Sequence, residues 1–400
     1  MRLLFVSAAA LPHLYPLVPL AWACRAAGHE VRVASSPSLR EAIVHTGLPA
    51  VVAGDNLRYH PTEREDLVTA IYGQDGWPSG WAAAPEELSP ARQAHLRRLA
   101  RAMIDGAATM VDDVVAHARS WRPQLIVHDA VSFAGPVAAA VLGVPAVRHL
   151  FGAAVVPRLE LLSGGPQAWY AGLFERFGVP ATTAAALTVD PTPACLRTAE
   201  PGRPYVEPRH VPYNGAGEVP RLPDGRRVCV TWGHTAGRAL GGGAAEPYRA
   251  VLEALGDRGR EAVVVTTPDQ LAGLGTLPSG VIAAPSAPLH LVLPSCDLLV
   301  HQGGDGTTLT AAGLGVPQLA ITRKPDAELA AGRIAATGIG LHLRYQDLAA
   351  DPAAVKVIGV AVAELLGDPA YRRAADRLRR EIASRPPPAA FVPTLEALAE

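Results

Sequence analysis

The chain has 400 residues, of which 49% are hydrophobic and 5% aromatic, and its formal net charge at pH 7 is -1. One hydrophobic core rarely organises so long a chain, so two domains are expected. The near-neutral charge gives no electrostatic reason to expect a nucleic acid or an anionic membrane as a partner.

The N-terminal segment predicts a strand followed by a helix. "RLLFVS" (2–7) is a short apolar run typical of a buried parallel strand. The apolar stretch after it resembles a signal peptide, but prolines interrupt it, and no window of the sequence is long and apolar enough to span a bilayer. A helix is predicted from near Pro16 to Gly28, and "EVRVAS" supplies the next strand.

The alternation of strand and helix returns twice further along the chain. "PQLIVHD" and "PAVRHL" read as strands around a helix at about 134–143, and proline and glycine then accumulate from about 186 to 225. "RRVCVTWG", "EAVVVTT", "GVIAAP", "CDLLVH" and "PQLAIT" resemble the strands of a second half. Each half is therefore predicted to be α/β, with a doubly wound parallel sheet. The expected boundaries are 1–205 for the first domain, 206–225 for a linker, 226–375 for the second domain, and 376–400 for a segment that packs back on the first.

The four cysteines carry information about the compartment. They are Cys24, Cys195, Cys229 and Cys296, with no Cys-x-x-Cys pair. Neither a zinc site nor a disulfide framework is indicated, so a reducing cytoplasm is the expected location.

Three polar residues fall where predicted strands end, which is where ligands bind in open α/β sheets. His13 follows the first strand, Asp129 ends "LIVHD", and His301 ends "DLLVH" and opens "HQGGDGTTLTAAGLG". A helix is predicted to begin at Thr307, and its N–H groups and dipole would form an anion site beside the glycines. The segment lacks the Lys of a P-loop and comes too late for a first-βα dinucleotide motif.

Two motifs resemble one known family. "HQGGDGTTLTAAGLGVPQLAI" (301–321) is similar to the donor-site signature of family 1 glycosyltransferases of the GT-B fold. "LPHLYPLVPLAWACRAAGHEVRVAS" (11–35) is similar to the N-terminal signature of their bacterial natural-product members. The resemblance implies two facing Rossmann-like domains with a cleft between them, the first binding the acceptor and the second the nucleotide-sugar donor.

The resemblance also implies a reaction. It is the inverting transfer of a deoxysugar from a nucleoside diphosphate, expected to be dTDP, to a polyketide-type aglycone in antibiotic biosynthesis. Attachment through oxygen or through carbon stays open. His13 corresponds to the catalytic base, and an imidazole can take a hydroxyl proton at neutral pH when a carboxylate orients it. Asp129 is the candidate partner, or else the cap of a helix.

The remaining site residues divide between donor and acceptor. By resemblance, "APLHLVLP" (287–294) would border the base, and donor binding is assigned to Thr231, His234, Thr235, His301, Gly303, Gly304, Asp305, Gly306, Thr307 and Asp326. Aromatic residues in less regular segments predict an apolar acceptor pocket, or simply packing between loops and helices. These residues are Tyr72, Trp77, Trp81, Phe133, Phe151 and Trp169.

Two departures from the family's pattern concern the sugar. Asp305 stands where relatives commonly carry Ser, and Asp326-Ala327 stands where they carry Asp-Gln. A hypothesis is that both carboxylates face a deoxyaminosugar. The alternative is that Asp305 caps the helix at Thr307 and Thr308.

No cofactor is expected beyond the nucleotide sugar. The sequence has no Asp-x-Asp triplet, and a helix N-terminus can stabilise a departing diphosphate, so metal independence is expected. The alternatives are a sugar-nucleotide 2-epimerase or a non-catalytic homologue that binds a nucleotide sugar. A nicotinamide dehydrogenase is disfavoured because Gly-x-Gly-x-x-Gly does not follow the first strand. A homodimer or an activator protein stays open.

Overall fold

A computed structural model describes residues 1–57, 77–78, 81–82, 84–152, 168–198, 204–225, 227–233, 245–349 and 353–400. Three predicted site residues, Tyr72, His234 and Thr235, lie outside these ranges.

The first half is built on a seven-stranded parallel sheet with the strand order β3-β2-β1-β4-β5-β6-β7. Each strand pairs in parallel with its neighbours, and the order reverses between β1 and β4. The strands are β1 (Arg2–Val6), β2 (Glu30–Ser35), β3 (Ala50–Val52), β4 (Leu125–Asp129), β5 (Ala146–His149), β6 (Leu187–Val189) and β7 (Tyr205–Val206). A sheet of this kind binds ligands beyond the carboxyl ends of its strands, near the reversal.

The second half repeats the plan with six parallel strands in the order β10-β9-β8-β11-β12-β13. Its strands are β8 (Arg227–Thr231), β9 (Ala262–Val264), β10 (Val281–Ala283), β11 (Cys296–His301), β12 (Gln318–Thr322) and β13 (Gly340–Arg344). The predicted architecture of two doubly wound α/β sheets is thus confirmed.

Helices cover the faces of both sheets. In the first half they are α1 (Leu11–Leu14), α2 (Val18–Ala26), α3 (Arg40–His45), α4 (Pro90–Trp121), α5 (Ala134–Leu142) and α6 (Ala168–Glu175). In the second half they are α7 (Ala245–Gly256), α8 (Pro268–Leu274), α9 (Leu289–Val292), α10 (Asp305–Leu314), α11 (Pro325–Ala336), α12 (Tyr345–Ala349), α13 (Ala354–Gly367) and α14 (Pro369–Ser384). The last helix, α15 (Val392–Ala399), returns to the first half.

Strand β1 shows why each sheet needs helices on both faces. Leu4 and Val6 are fully buried in the cluster formed with α4 and α5, and Leu3 and Phe5 are fully buried in the cluster formed with α2. Successive residues of a strand point to opposite faces, so a strand that is apolar throughout must be covered twice.

The C-terminal segment crosses between the halves. Helix α14 packs on α10 in the core of the second half. The domain boundary predicted at residue 375 therefore falls inside this helix. Helix α15 instead packs on the first sheet, where Val392 and Leu395 are buried and Glu396 pairs with His29 at 2.8 Å. The return to the first half therefore begins after α14.

Several local predictions differ from the structure. The glycine-rich helix α10 begins at Asp305, two residues before the predicted start, because Gly304 already occupies the N-cap position. The 32-residue helix α4 and the short strands β3, β6, β7 and β13 were not predicted. Among the described residues, no helix is long and apolar enough to cross a membrane.

Candidate active site

His13 is presented by the short helix α1, which follows the first strand. Pro12 stands in the first turn of α1, where its missing N–H costs no hydrogen bond, and Leu14 is buried in the core beneath. The His13 side chain keeps 17% of its surface exposed, and its Nδ1 lies 3.2 Å from Oδ1 of Asp129. Burial on one side and exposure on the other leave the far ring nitrogen, Nε2, for a ligand.

Asp129 ends strand β4, and its side chain is only 1% exposed. Its carboxylate accepts hydrogen bonds from the backbone N–H groups of Ala8 and Val131, both at 2.9 Å, and from the Ser132 hydroxyl. Burial by itself would raise the pKa of this carboxyl. The electrostatic interaction and hydrogen bond with His13, together with the hydrogen bonds from Ser132 and Ala8, outweigh burial and hold the pKa of Asp129 below its usual value.

An ionised carboxylate can only accept hydrogen bonds, so Nδ1 of His13 must carry the proton that it shares with Asp129. This tautomer leaves Nε2 with a free lone pair. The pair of side chains can therefore take a proton at Nε2 and stabilise the resulting imidazolium. The structure brings together the two residues that the sequence proposed as base and partner.

The segment after β5 contacts both the His13–Asp129 pair and the second half of the chain. Phe151 packs its ring edge-on against His13, with ring centroids 4.7 Å apart. A β-carbon at the next residue, Gly152, would lie 2.0 Å from Cγ of Asp305. The Asp305 side chain thus lies against the backbone of Gly152, one residue from the aromatic neighbour of His13.

The loop 302–304 between β11 and α10, called the donor loop below, is shaped by a buried histidine. His301 ends β11 with no exposed surface, and its Nδ1 accepts a hydrogen bond from the Gly303 N–H at 3.1 Å. Burial lowers the pKa of His301 to about 4, so the ring is neutral at pH 7. His301 therefore acts on the backbone of the loop, a role that the resemblance had not specified.

Gly303 meets two constraints that only glycine satisfies. Its φ is +83°, and a β-carbon there would lie 2.7 Å from Cγ2 of Thr322. Gly304 is extended at φ -70° and precedes Asp305, the first residue of α10. Asp305 therefore does not occupy the N-cap position that the alternative hypothesis gave it.

The first turn of α10 lies where the sequence predicted an anion site. The early N–H groups of a helix have no partners within it and lie at the positive end of its dipole. Gly306 is exposed, and a β-carbon there would meet nothing within 4 Å, while Thr307 is half-buried beside it. A diphosphate can approach this turn closely.

The other donor residues lie at neighbouring strand ends. Thr231 ends β8, is buried, and accepts a hydrogen bond from the Gly233 N–H at 3.3 Å. Asp326 stands in the first turn of α11, with its side chain 33% exposed and 3.4 Å from Nζ of Lys324.

The five predicted acceptor aromatics that the structure describes do not form one wall. Phe133 is buried in the core of the first half, edge-on to Tyr170, so it packs within the domain. Trp169 is 40% exposed on the surface beneath Arg101. Of the six residues, Phe151 is the one that the structure shows against His13.

Trp77 and Trp81 form a separate buried pair. Their ring centroids lie 4.7 Å apart, and Leu329 of α11 packs on their cluster. The two rings thus pack with Leu96 and Ala100 of α4 and with Leu329 of α11, in keeping with the packing between loops and helices that the sequence left open.

Two residues that position the site were missed from the sequence. Ser132 bonds to Asp129, and its spacing of three residues in "HDAVSF" is typical of a side-chain turn that could have indicated it. Gly152 had no local signal, because what it touches belongs to the other half of the chain.

Comparison with known proteins covers the whole chain. Residues 22–233 match the model of the Erythromycin biosynthesis protein CIII-like N-terminal domain, and residues 249–398 match that of the C-terminal domain. The chain is 36% identical to tylactone mycaminosyltransferase of Streptomyces fradiae, over 100% of this chain and 92% of that protein. It is 34% identical to 3-alpha-mycarosylerythronolide B desosaminyl transferase of Saccharopolyspora erythraea, over 100% and 98% of the two chains.

A solved glycosyltransferase structure is also similar over the whole chain. The crystal structure of glycosyltransferase VinC in complex with DTDP is similar with a TM-score of 0.81 and 32% identity, covering 100% of this chain and 99% of that one. The family resemblance predicted from two motifs is thereby confirmed along the full length. The chain belongs to the Erythromycin biosynthesis protein CIII-like family of bacterial natural-product glycosyltransferases, enzymes with the GT-B fold.

Proposed function

We propose that this glycosyltransferase moves a deoxysugar from a dTDP-sugar to a polyketide-type aglycone, with inversion at the anomeric carbon, in the biosynthesis of an antibiotic-like natural product. The names of the two relatives, and the dTDP bound to VinC, support these substrate classes. The observation that carries the proposal is the hydrogen bond between His13 and the buried carboxylate of Asp129. The four free cysteines suit a reducing cytoplasm as the place of action.

In the proposed reaction His13 is the general base. An acceptor hydroxyl donates its proton to Nε2 of His13 while its oxygen forms a bond to the anomeric carbon. The bond from that carbon to the diphosphate oxygen breaks in the same displacement, and the nucleoside diphosphate leaves with the electron pair. Asp129 stabilises the imidazolium that results. This electrostatic stabilisation is largest when the carboxylate is already held in place before the reaction.

The donor loop is proposed to bind the leaving group. The N–H groups of the first turn of α10 would donate hydrogen bonds to the diphosphate, and the helix dipole would favour the charge that develops there. His301 and Gly303 would act by fixing the loop that leads into this turn. The relatives named above are transferases, so transfer is favoured over the 2-epimerase and the non-catalytic alternatives.

Product mass tests the proposed function. The protein is incubated with dTDP-deoxysugars and a panel of polyketide aglycones, and the products are analysed by mass spectrometry. A product heavier than the aglycone by one deoxysugar residue supports transfer. An isomerised nucleotide sugar that forms without an acceptor would establish the epimerase instead.

The His13–Asp129 pair generates the first prediction. His13→Ala should lower kcat by about 10²–10⁴ and leave the Kd for dTDP nearly unchanged, because the base lies in the acceptor-binding half. Asp129→Asn should also lower kcat, since an amide cannot stabilise the imidazolium and brings N–H donors against the Ala8 N–H. An unchanged rate for Asp129→Asn would reduce Asp129 to a structural cap.

The second prediction concerns the donor loop. Gly303→Ala should weaken dTDP binding about ten-fold or more, because a positive φ and the contact with Thr322 force the loop to shift. Gly313→Ala in α10, the helix that this loop leads into, is the matched control, since a β-carbon there meets nothing within 4 Å. Calorimetric titration with dTDP measures both, and equal affinities would show that the loop geometry does not matter for the donor.

Metal independence is the third prediction. We propose that N–H donors and the helix dipole take the part that a divalent ion plays in metal-dependent transferases, so EDTA should leave the transfer rate unchanged. The rate is measured before and after chelation and again with added Mg²⁺. Strict dependence on Mg²⁺ would contradict this account of the leaving group.

The fourth prediction concerns the sugar. A carboxylate about 6 Å from a diphosphate is unfavourable by on the order of 2–3 kcal/mol at an effective dielectric near 20, whereas a cationic group on the sugar would be attracted to it. We propose that Asp305 contacts the amino group of a deoxyaminosugar, because its side chain lies against Gly152 beside the proposed reaction centre. Asp305→Ser should lower kcat/KM about ten-fold with an amino donor and much less with a neutral one. Equal effects on the two donors would contradict the proposal.

A further inference from the structure

The linker between the two halves contacts the segment that follows His13 and also the helices proposed to bind the donor. Within it, the Tyr213 ring packs edge-on against the Tyr15 ring, with centroids 5.2 Å apart. Tyr15 lies two residues after His13 along the chain, directly after α1. At the next-but-one linker position, a β-carbon on Gly215 would lie 2.7 Å from the Tyr15 hydroxyl. The linker is thus packed closely on the segment that carries the base.

Between these two contacts, Asn214 bonds to the second half through both atoms of its amide. Its Oδ1 accepts hydrogen bonds from the backbone N–H of His290 at 3.1 Å and from Nδ1 of the same residue at 3.0 Å. Its Nδ2 donates to Oγ1 of Thr310 at 3.2 Å. Because the His290 N–H can only donate, the carbonyl oxygen of Asn214 must face His290 and the NH₂ group must face Thr310.

Both partners of Asn214 belong to the donor-binding elements. His290 lies in α9, whose N-cap is Pro288, a residue without a side-chain acceptor, so Asn214 supplies the acceptor that this helix end lacks. Thr310 lies in α10, where its hydroxyl donates to the carbonyl of Gly306 in the first turn at 2.7 Å. One linker amide therefore connects the start of α9 to the first turn of α10.

We propose that Asn214 is a positioning residue that fixes α9 relative to α10 and so sets the shape of the nucleotide site. The inference rests on the proposed function, since α9 would border the base and α10 would hold the diphosphate. A nucleoside diphosphate must reach both helices at once, so a change in their spacing weakens its binding even where every direct contact residue is intact. Asn214 itself needs no contact with the ligand.

The direct test is the affinity for nucleoside diphosphates, which needs neither an acceptor nor turnover. Calorimetric titrations with dTDP, UDP and GDP identify the nucleotide that the wild type binds, and the variants are titrated with that nucleotide. Asn214→Ala should weaken binding about ten-fold, because the His290 N–H loses its acceptor and Oγ1 of Thr310 loses the donor from Asn214. The kcat measured at saturating donor should fall less than the affinity does.

Asn56→Ala is the matched control. Asn56 is the other asparagine of the chain, and its side chain accepts hydrogen bonds from Ser38 and Ser36 within the first half. This control should keep wild-type affinity. If folded Asn214→Ala binds the nucleotide as tightly as Asn56→Ala does, the positioning role is overturned. The proposed transferase function would still stand in that case. A wild type that binds none of the three nucleotides would overturn the proposed donor and the positioning role together.

A double-mutant cycle tests the path through α10. Asn214→Asp keeps the acceptor for His290 but places an oxygen against Oγ1 of Thr310, whose proton is already donated to Gly306. Asn214→Asp should therefore weaken nucleotide binding in the wild-type background and have much less effect in a Thr310→Ala background. Equal effects in both backgrounds would show that the two side chains do not act through each other, and would overturn the proposal. A general loss of stability would lower the melting temperature without this non-additivity.

Discussion

The site depends on one buried carboxylate. Asp129 ends a central strand with almost no exposed surface, and a charge in that position is tolerated only because four groups donate hydrogen bonds to it. One of those donors is His13, so satisfying the carboxylate also fixes the tautomer and the orientation of the imidazole. The same interaction that makes the burial of Asp129 possible thus prepares His13 for the proposed role of base, with the lone pair on Nε2.

The second half supplies the complementary charge. His301 is neutral and buried, and it holds the turn through Gly303 that leads the chain into α10. The first turn of that helix is the proposed site of the leaving diphosphate, and the side chain of Asp305, its first residue, lies against Gly152 in the opposite half. The proposed base and the proposed leaving-group site therefore lie on separate sheets, and Asn214 bonds to α9 and α10 on the side of the leaving group.

The sequence predicted what local chemistry determines. Apolar strands buried on both faces give a clear signal, so the two parallel sheets and the strand-end positions of His13, Asp129 and His301 followed from it. The start of α10 was placed two residues late, because an extended Gly304 serves as N-cap without a side-chain signal. Contacts between distant segments, such as Gly152 with Asp305, leave no local pattern in the sequence. An aromatic residue gives the same sequence signal whether it packs in a core, as Phe133 does, or lies beside a ligand.

The central claim is a single displacement in which His13 deprotonates the acceptor while the diphosphate leaves toward α10. The most direct measurement is the anomeric configuration of the product, determined by NMR and compared with that of the dTDP-sugar supplied. One displacement inverts that carbon, so the account predicts a product of opposite anomeric configuration. A product that retains the donor's configuration would contradict it, because retention requires two displacements or attack from the side of the leaving group.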